Sequence, residues 1–131
     1  SELYKEAKEK HIDLIRLVTP TTDEERLKTI LNTASGFLYY VTITGITGQN
    51  SANIEHLKKS ILKIKSSTKL PIVAGFGIKN RRDVEEISAF TDGVVVGSSI
   101  VNIIKNNLND KNKMITEIDK FTKELKKGVK E

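Results

Sequence analysis

Short apolar runs alternate with helical stretches four times along this chain of 131 residues. Each run is followed by apolar residues at every third or fourth position, which is the spacing of an amphipathic helix. Nearly continuous apolar strands that alternate with such helices indicate a parallel sheet covered by helices on at least one face. The runs predict strands at about 12–18, 37–42, 71–75 and 93–96.

Several of the predicted helices carry start signals or a clear apolar face. Thr22 and Glu25 have the spacing of a capping box, and Asn80 stands where the helix after the third strand begins. In the helix after the fourth strand, Val101 and Leu108 belong to the stripe predicted to face the core. These signals support the alternation of strands and helices.

Four βα units are half of an eight-stranded (βα)8, or TIM, barrel. The predicted fold class is therefore α/β, a parallel (βα)4 half barrel in which residues 1–131 are one segment of a single domain. Such a half leaves two sheet edges and the inner sheet face uncovered. Another half barrel could cover them, the sheet could flatten, or two copies could pair, and the pattern leaves these alternatives open.

Composition and charge narrow the class of protein. Hydrophobic residues make up 37% of the chain and charged residues 30%, and no apolar stretch approaches the roughly 20 residues of a membrane span. The chain has no cysteine, which excludes disulfides and fits a reducing, cytoplasmic compartment. The net charge of +5 comes from lysine-rich helices without interleaved aromatic residues. We therefore expect a cytoplasmic protein with neither a nucleic acid nor a membrane as partner.

Two glycine-rich strand ends are the main candidates for ligand binding. Gly75-Phe76-Gly77 follows the third strand, and Gly97-Ser98 follows the fourth. Glycine lets the backbone approach a ligand closely, and the free N–H groups at the start of the next helix favour an anion. Because the loops after the last two strands of a barrel commonly bind phosphate, the sequence predicts a phosphorylated small molecule as ligand.

The predicted strand ends carry no Asp, Glu, His or Lys, on which proton transfer at neutral pH usually depends. His11 and His56 are expected to face solvent, and no cluster of side chains has metal-ligand spacing. Ser98 lacks an activating base and suits a hydroxyl donor to phosphate better than a nucleophile. We therefore predict no catalytic residue, no metal and no cofactor in this segment. Strand alternation turns either Tyr39 or Tyr40 inward, as a packing residue or as a phenol that orients a ligand or catalytic group.

A glycine-flanked loop follows the second strand. Thr47 lies between Gly45 and Gly48, an arrangement that suits a closing lid, with a static turn as the alternative.

Three segments together carry a family resemblance. They are Gly36–Gly48 (GFLYYVTITGITG), Pro71–Ile78 (PIVAGFGI) and Val96–Val101 (VGSSIV). In this order they resemble the tryptophan synthase alpha chain family, and only the second half of that family's barrel. The resemblance implies a lyase of tryptophan biosynthesis that cleaves indole-3-glycerol phosphate into indole and glyceraldehyde 3-phosphate. It also implies two macromolecular partners: the first half of the barrel, and a pyridoxal-phosphate beta chain in a complex of two of each subunit.

The resemblance also implies roles for individual residues. Gly75 and Phe76 would shape the floor beneath the substrate, Tyr39 would face the catalytic acid, and Thr47 would belong to the closing loop. The family's catalytic Glu and Asp lie in the first half of the barrel, so this segment, interpreted as a fragment, is predicted to be inactive alone. The phosphate region would be lined by Gly48, Gly77, Gly97 and Ser98.

Two alternative functions remain open at this point. Another phosphate-binding barrel enzyme of aromatic amino-acid biosynthesis would use the same glycine-rich loops, although the Gly-Ile-Thr-Gly loop after Tyr39 argues against it. A non-catalytic binding module built from a half barrel would need neither an acid nor a base.

Overall fold

The computed structural model of the chain describes residues 2–41, 51–75 and 77–129. Within these ranges the strands are β1 (Arg16–Val18), β2 (Leu38–Val41), β3 (Ile72–Gly75) and β4 (Gly93–Val94). The helices are α1 (Glu2–Glu9), α2 (Glu24–Leu31), α3 (Ser51–Lys65), α4 (Arg81–Ser88), α5 (Ser98–Asn106) and α6 (Lys111–Lys126). None of the helices in these ranges is long and apolar enough to cross a membrane.

The four strands form one sheet in chain order, and each strand pairs in parallel with the next. The predicted α/β arrangement of four parallel βα units is therefore confirmed. Because all four strands are parallel, their carboxyl ends lie at the same end of the sheet.

The first strand is shorter than the predicted range 12–18. The backbone donors before Arg16 are already engaged elsewhere: Ile12 N–H donates to the carbonyl of Ala7 at the end of α1 (2.8 Å), and Leu14 N–H donates to Ser35 Oγ (3.1 Å). Pairing with β2 therefore starts only at Arg16, opposite Leu38.

The other strands differ from prediction mainly at their ends. The fourth strand ends at Val94 rather than at 96, although Val95 N–H still donates to the carbonyl of Ala74 (2.9 Å). Beyond that bond the chain turns into α5. The second and third strands lie within their predicted ranges, and Thr42, the last residue predicted for the second, lies outside the described residues.

The two faces of the sheet differ sharply in burial. Val18, Tyr40 and Ala74 occupy one register row, and their side chains are buried in the core beneath the helices. Leu17 and Tyr39 alternate with them and point to the opposite face, where Leu17 is 59% exposed. Within the described part of the chain this second face is open, as expected for half of a barrel.

Of the two helix caps predicted from the sequence, one is confirmed and one is wrong. The Asn80 side chain caps α4 as predicted. The capping box predicted from Thr22 is wrong, because its hydroxyl accepts a hydrogen bond from Thr19 N–H (3.0 Å) in the preceding turn. Asp23 caps α2 instead, and its carboxylate accepts from the backbone N–H three residues on (2.7 Å).

The apolar stripe predicted for α5 is only partly covered. Val101 is 59% exposed, so the expectation that it faces the core is wrong for the described part of the chain. Leu108, which is 69% exposed, lies beyond the end of α5 at Asn106. Helical spacing identifies residues that share a stripe, but it does not tell which part of the stripe meets a neighbour. Here α6 packs on one flank of α5 and leaves the other flank open.

Asp92, which directly precedes β4, connects the start of this strand to β3 and to the end of α3. Its carboxylate accepts hydrogen bonds from Ile72 N–H (2.8 Å) and from the Lys65 ammonium (3.0 Å). Burial acts to raise the pKa of Asp92, but the bonds from Ile72 and Lys65 outweigh it, so the pKa lies below its ordinary value. The folded state therefore favours the charged carboxylate.

We expect Asp92→Ala to lower the free energy of unfolding by about 1–2 kcal/mol at pH 7, because Ile72 N–H loses its acceptor. Since the folded pKa is depressed, the charge contributes stability above about pH 4, and the contribution is lost as the pH falls through the folded pKa. Urea unfolding at pH 7 and pH 3 should show the difference from wild type shrinking at the lower pH.

The matched control for this prediction is Asp119→Ala, whose side-chain partner is the exposed Lys123 one helical turn away. We expect it to change stability by less than about 0.5 kcal/mol at either pH. An Asp92→Ala variant as stable as wild type at pH 7 would contradict the proposed connection.

Candidate functional site

A small cavity of about 110 Å³ opens toward the carboxyl ends of β2, β3 and β4. It brings together five residues that the sequence singled out: Tyr39, Gly75, Gly77, Gly97 and Ser98. Ile78 and Val95 complete the described lining. The other residues singled out, Thr47, Gly48 and Phe76, lie outside the described residues.

The choice between the two tyrosines of β2 follows from strand alternation. Tyr39 lies on the open face of the sheet and lines the cavity. Tyr40 is 1% exposed and lies under the helices, near Ser60 but outside hydrogen-bond geometry. Burial raises the pKa of Tyr40 more than Ser60 lowers it. Of the two phenols, only that of Tyr39 is placed to meet a ligand in this cavity.

Gly75 forms a closely packed floor. A Cβ atom at this position would lie 2.7 Å from Val95 Cβ and 3.0 Å from the Tyr39 hydroxyl. Both distances are shorter than an ordinary carbon contact, so the floor has room for glycine and not for a side chain.

Gly77 and Gly97 supply the two backbone walls of the cavity. Gly77 has a φ of 68°, in the left-handed region that residues with a Cβ atom rarely adopt. A Cβ atom built on Gly97 would meet nothing within 4 Å. One wall is thus fixed by backbone conformation, and the other faces open space among the described residues.

The amino end of α5 faces this cavity. The helix begins at Ser98, directly after Gly97, and Gly97 offers no side chain to cap it. The first turn contains no acidic residue, and the first backbone bond within the helix runs from Val101 N–H to the Gly97 carbonyl (3.1 Å). Within the described ranges the N–H groups of the first turn therefore remain available to an anion, and the helix dipole favours negative charge there.

The loop after β3 is held by contacts that sequence reasoning missed. Ser99 Oγ donates to the carbonyl of Ile78 (2.8 Å), and Lys79 N–H donates to the carboxylate of Asp83 (2.8 Å). The only signal in the sequence is the second serine of Gly97-Ser98-Ser99, and a serine pair by itself does not specify which hydroxyl bonds across to another loop.

The described lining residues of the cavity offer groups for hydrogen bonding. Among the described lining residues there is no carboxylate, imidazole or ammonium group. His11 and His56 are exposed and lie outside the cavity, and His11 has the left-handed conformation in the turn that follows α1. Over residues 2–41, 51–75 and 77–129, no group of three or more His, Asp or Glu side chains is arranged to hold a metal ion.

Comparison of sequences gives a consistent family. The profile of the family described as tryptophan synthase alpha chain matches residues 1–130. The tryptophan synthase alpha chain of Petrotoga mobilis is 45% identical over 125 residues, which are 95% of this chain and 48% of that protein. The alpha chain of Methanocaldococcus jannaschii is 47% identical over 119 residues, covering 91% of this chain and 42% of that protein. The chain thus spans about half the length of the curated relatives it matches.

Solved structures give the same result. Tryptophan synthase subunit alpha from Legionella pneumophila superimposes with a TM-score of 0.84 at 27% identity, over 98% of this chain and 47% of that one. The alpha subunit from Campylobacter jejuni gives a TM-score of 0.79 at 38% identity, over 92% of this chain and 48% of that one. These neighbours are (βα)8 barrels, so the four βα units correspond to half of a barrel. The chain belongs to the tryptophan synthase alpha chain family.

Proposed function

We propose that residues 1–131 are the C-terminal segment of a (βα)8 tryptophan synthase alpha chain. In this proposal the segment supplies the phosphate-binding half of a site at which indole-3-glycerol phosphate undergoes aldol cleavage to indole and glyceraldehyde 3-phosphate. The observation that carries the proposal is the cavity in which Gly77, Gly97 and Ser98 meet beside an uncapped helix start.

In this proposal each described residue of the cavity has one role in binding or orienting the substrate. The first-turn amides of α5 and the Ser98 hydroxyl donate hydrogen bonds to the phosphate oxygens. Gly77 lets the neighbouring loop approach the same group. Gly75 keeps the floor open beneath the substrate, and the Tyr39 hydroxyl is placed to orient a catalytic carboxyl group. For Thr47, Gly48 and Phe76, we carry over the family roles of closing loop, phosphate contact and substrate floor.

The catalytic carboxylates belong to the other half of the barrel in this proposal, so the segment alone is inactive. The open sheet face supports a covering half, since Leu17 and Val95 are exposed apolar residues on it.

The partners and location follow the family. We propose that the complete alpha chain works with the tryptophan synthase beta chain in a complex of two of each subunit, and that it needs no cofactor of its own. A phosphorylated substrate does not cross a bilayer unaided, because its charge is costly to bury, so we place the reaction in the cytoplasm.

A chimera tests this proposal directly. The part of the Petrotoga mobilis alpha chain that this chain does not match is joined to residues 1–131, and indole release from indole-3-glycerol phosphate is measured. We expect activity in the chimera and none in the 131-residue chain. Ser98→Ala in the chimera should raise KM about tenfold, because a hydrogen bond to a charged group is lost.

Two results would contradict the proposal. Indole release by the 131-residue chain alone would show that the catalytic groups are not in the other half. A folded chimera that binds phosphate but cleaves a different phosphorylated substrate would favour another barrel enzyme of aromatic amino-acid biosynthesis.

A further inference from the structure

Building on the proposed phosphate site, we propose that Ser99 is a positioning residue. It holds the first turn of α5 and the loop after β3 together as one anion-binding site. Its hydroxyl ties the first turn of α5 to the loop after β3, so that the backbone around Gly77 and the Ser98 hydroxyl face the same ligand. Ser99 itself makes no contact with the ligand in this proposal.

The bond that carries the inference joins distant parts of the chain. Ser99 Oγ donates to the carbonyl of Ile78 over 2.8 Å, and the two residues are 21 positions apart. The Ile78 side chain is 4% exposed and lies in the core, so the carbonyl sits on a well-anchored residue. The hydroxyl thus links the elements that form the two walls of the cavity.

The same peptide unit is also held from its other side. Lys79 N–H, which shares the peptide plane with the Ile78 carbonyl, donates to the carboxylate of Asp83 (2.8 Å). Asp83 is 7% exposed, and its own N–H donates to the Asn80 side chain that caps α4 (3.0 Å). The Ile78–Lys79 peptide is therefore fixed between α4 and α5, which leaves it little freedom to rotate.

This fixation matters because Gly77 comes directly before the fixed peptide. Gly77 has a φ near 68°, and an unrestrained glycine has many accessible conformations, so ordering it only when a ligand arrives would cost affinity. Holding the loop before binding removes that cost. Ser98 lines the cavity, whereas the hydroxyl of Ser99 donates to the Ile78 carbonyl. Of the two adjacent serines, Ser98 therefore contacts the ligand and Ser99 holds the loop after β3 in place.

The test uses the 131-residue chain and inorganic phosphate, followed by amide chemical shifts in an NMR titration. We expect Ser99→Ala to bind phosphate about fivefold more weakly, as the loss of one hydrogen bond predicts. The shift of the Gly77 amide on titration should be lost, while that of Ser98 persists. Ser99→Thr keeps the hydroxyl and should restore both the affinity and the Gly77 response.

Ser88→Ala is the matched control. Ser88 Oγ also donates to a distant backbone carbonyl, that of Gly128 (3.0 Å), but it lies away from the cavity. It should lose a similar amount of stability and keep the phosphate affinity of wild type.

Two outcomes would overturn the inference alone: Ser99→Ala binding phosphate as tightly as wild type, or Ser88→Ala weakening binding equally. A folded wild-type chain that does not bind phosphate at Gly77 and Ser98 would overturn the proposed phosphate site and the inference with it. The wild-type titration therefore separates the two failures.

Discussion

Replacing Gly75 by alanine should lower the free energy of unfolding by about 3 kcal/mol. The new methyl group would lie 2.7 Å from Val95 Cβ and 2.8 Å from the Val95 carbonyl oxygen. The carbonyl belongs to the backbone just after β4, so relief requires β3 and β4 to separate, and their pairing is the shortest in the described sheet. Urea unfolding followed by circular dichroism measures the change.

Gly97→Ala is the matched control for this variant. A Cβ atom there meets nothing within 4 Å, and the residue has a φ of −116°, which alanine tolerates. We expect stability within about 1 kcal/mol of wild type but weaker phosphate binding, because the methyl group projects beside the helix start. Equal stability of the two alanine variants would show that the floor at Gly75 yields without cost.

Replacing Gly128 by alanine should lower the free energy of unfolding by about 2–3 kcal/mol. Its Cβ atom would lie 2.6 Å from the Arg81 carbonyl oxygen and 3.1 Å from Val84 Cβ. Both belong to α4, so the segment after α6 must withdraw and lose the hydrogen bond from Ser88 to the Gly128 carbonyl. Thermal unfolding of the chain measures the effect as a lower Tm.

Lys127→Ala tests the neighbouring position. Lys127 is exposed and pairs with Glu124 on the helix surface, so its loss should cost less than about 0.5 kcal/mol. A Gly128→Ala variant with the Tm of Lys127→Ala would mean that the end of α6 does not pack on α4 as described.

The alternation of apolar runs and amphipathic helices was sufficient to predict the fold class, because each βα unit buries its apolar face against the next. The boundaries were harder to predict. Ile12 and Leu14 belong to an apolar run, yet their N–H groups are used by the end of α1 and by Ser35. A hydrogen bond to a partner 21 residues away leaves no trace in local periodicity.

The candidate site was predictable where a residue type is required by its position. Close packing requires glycine at position 75, and a left-handed φ favours glycine at position 77. Both glycines can be read directly from the sequence. The supporting roles of Ser99 and Asp83 were not predictable, because serine and aspartate are common near helix starts for several reasons. Only the placement of two loops side by side gives those side chains their partners.

Every strand lies beside its immediate predecessor, so this strand order allows the sheet to form one strand at a time in the direction of protein synthesis. A nascent polypeptide leaving the ribosome can therefore add each new layer to a surface that already exists. The cavity draws on residues from Tyr39 to Ser98, so it closes only after the last of these strands has emerged. A chain that has emerged only as far as Val94 would have all four strands and would still lack the helix start on which an anion would rest.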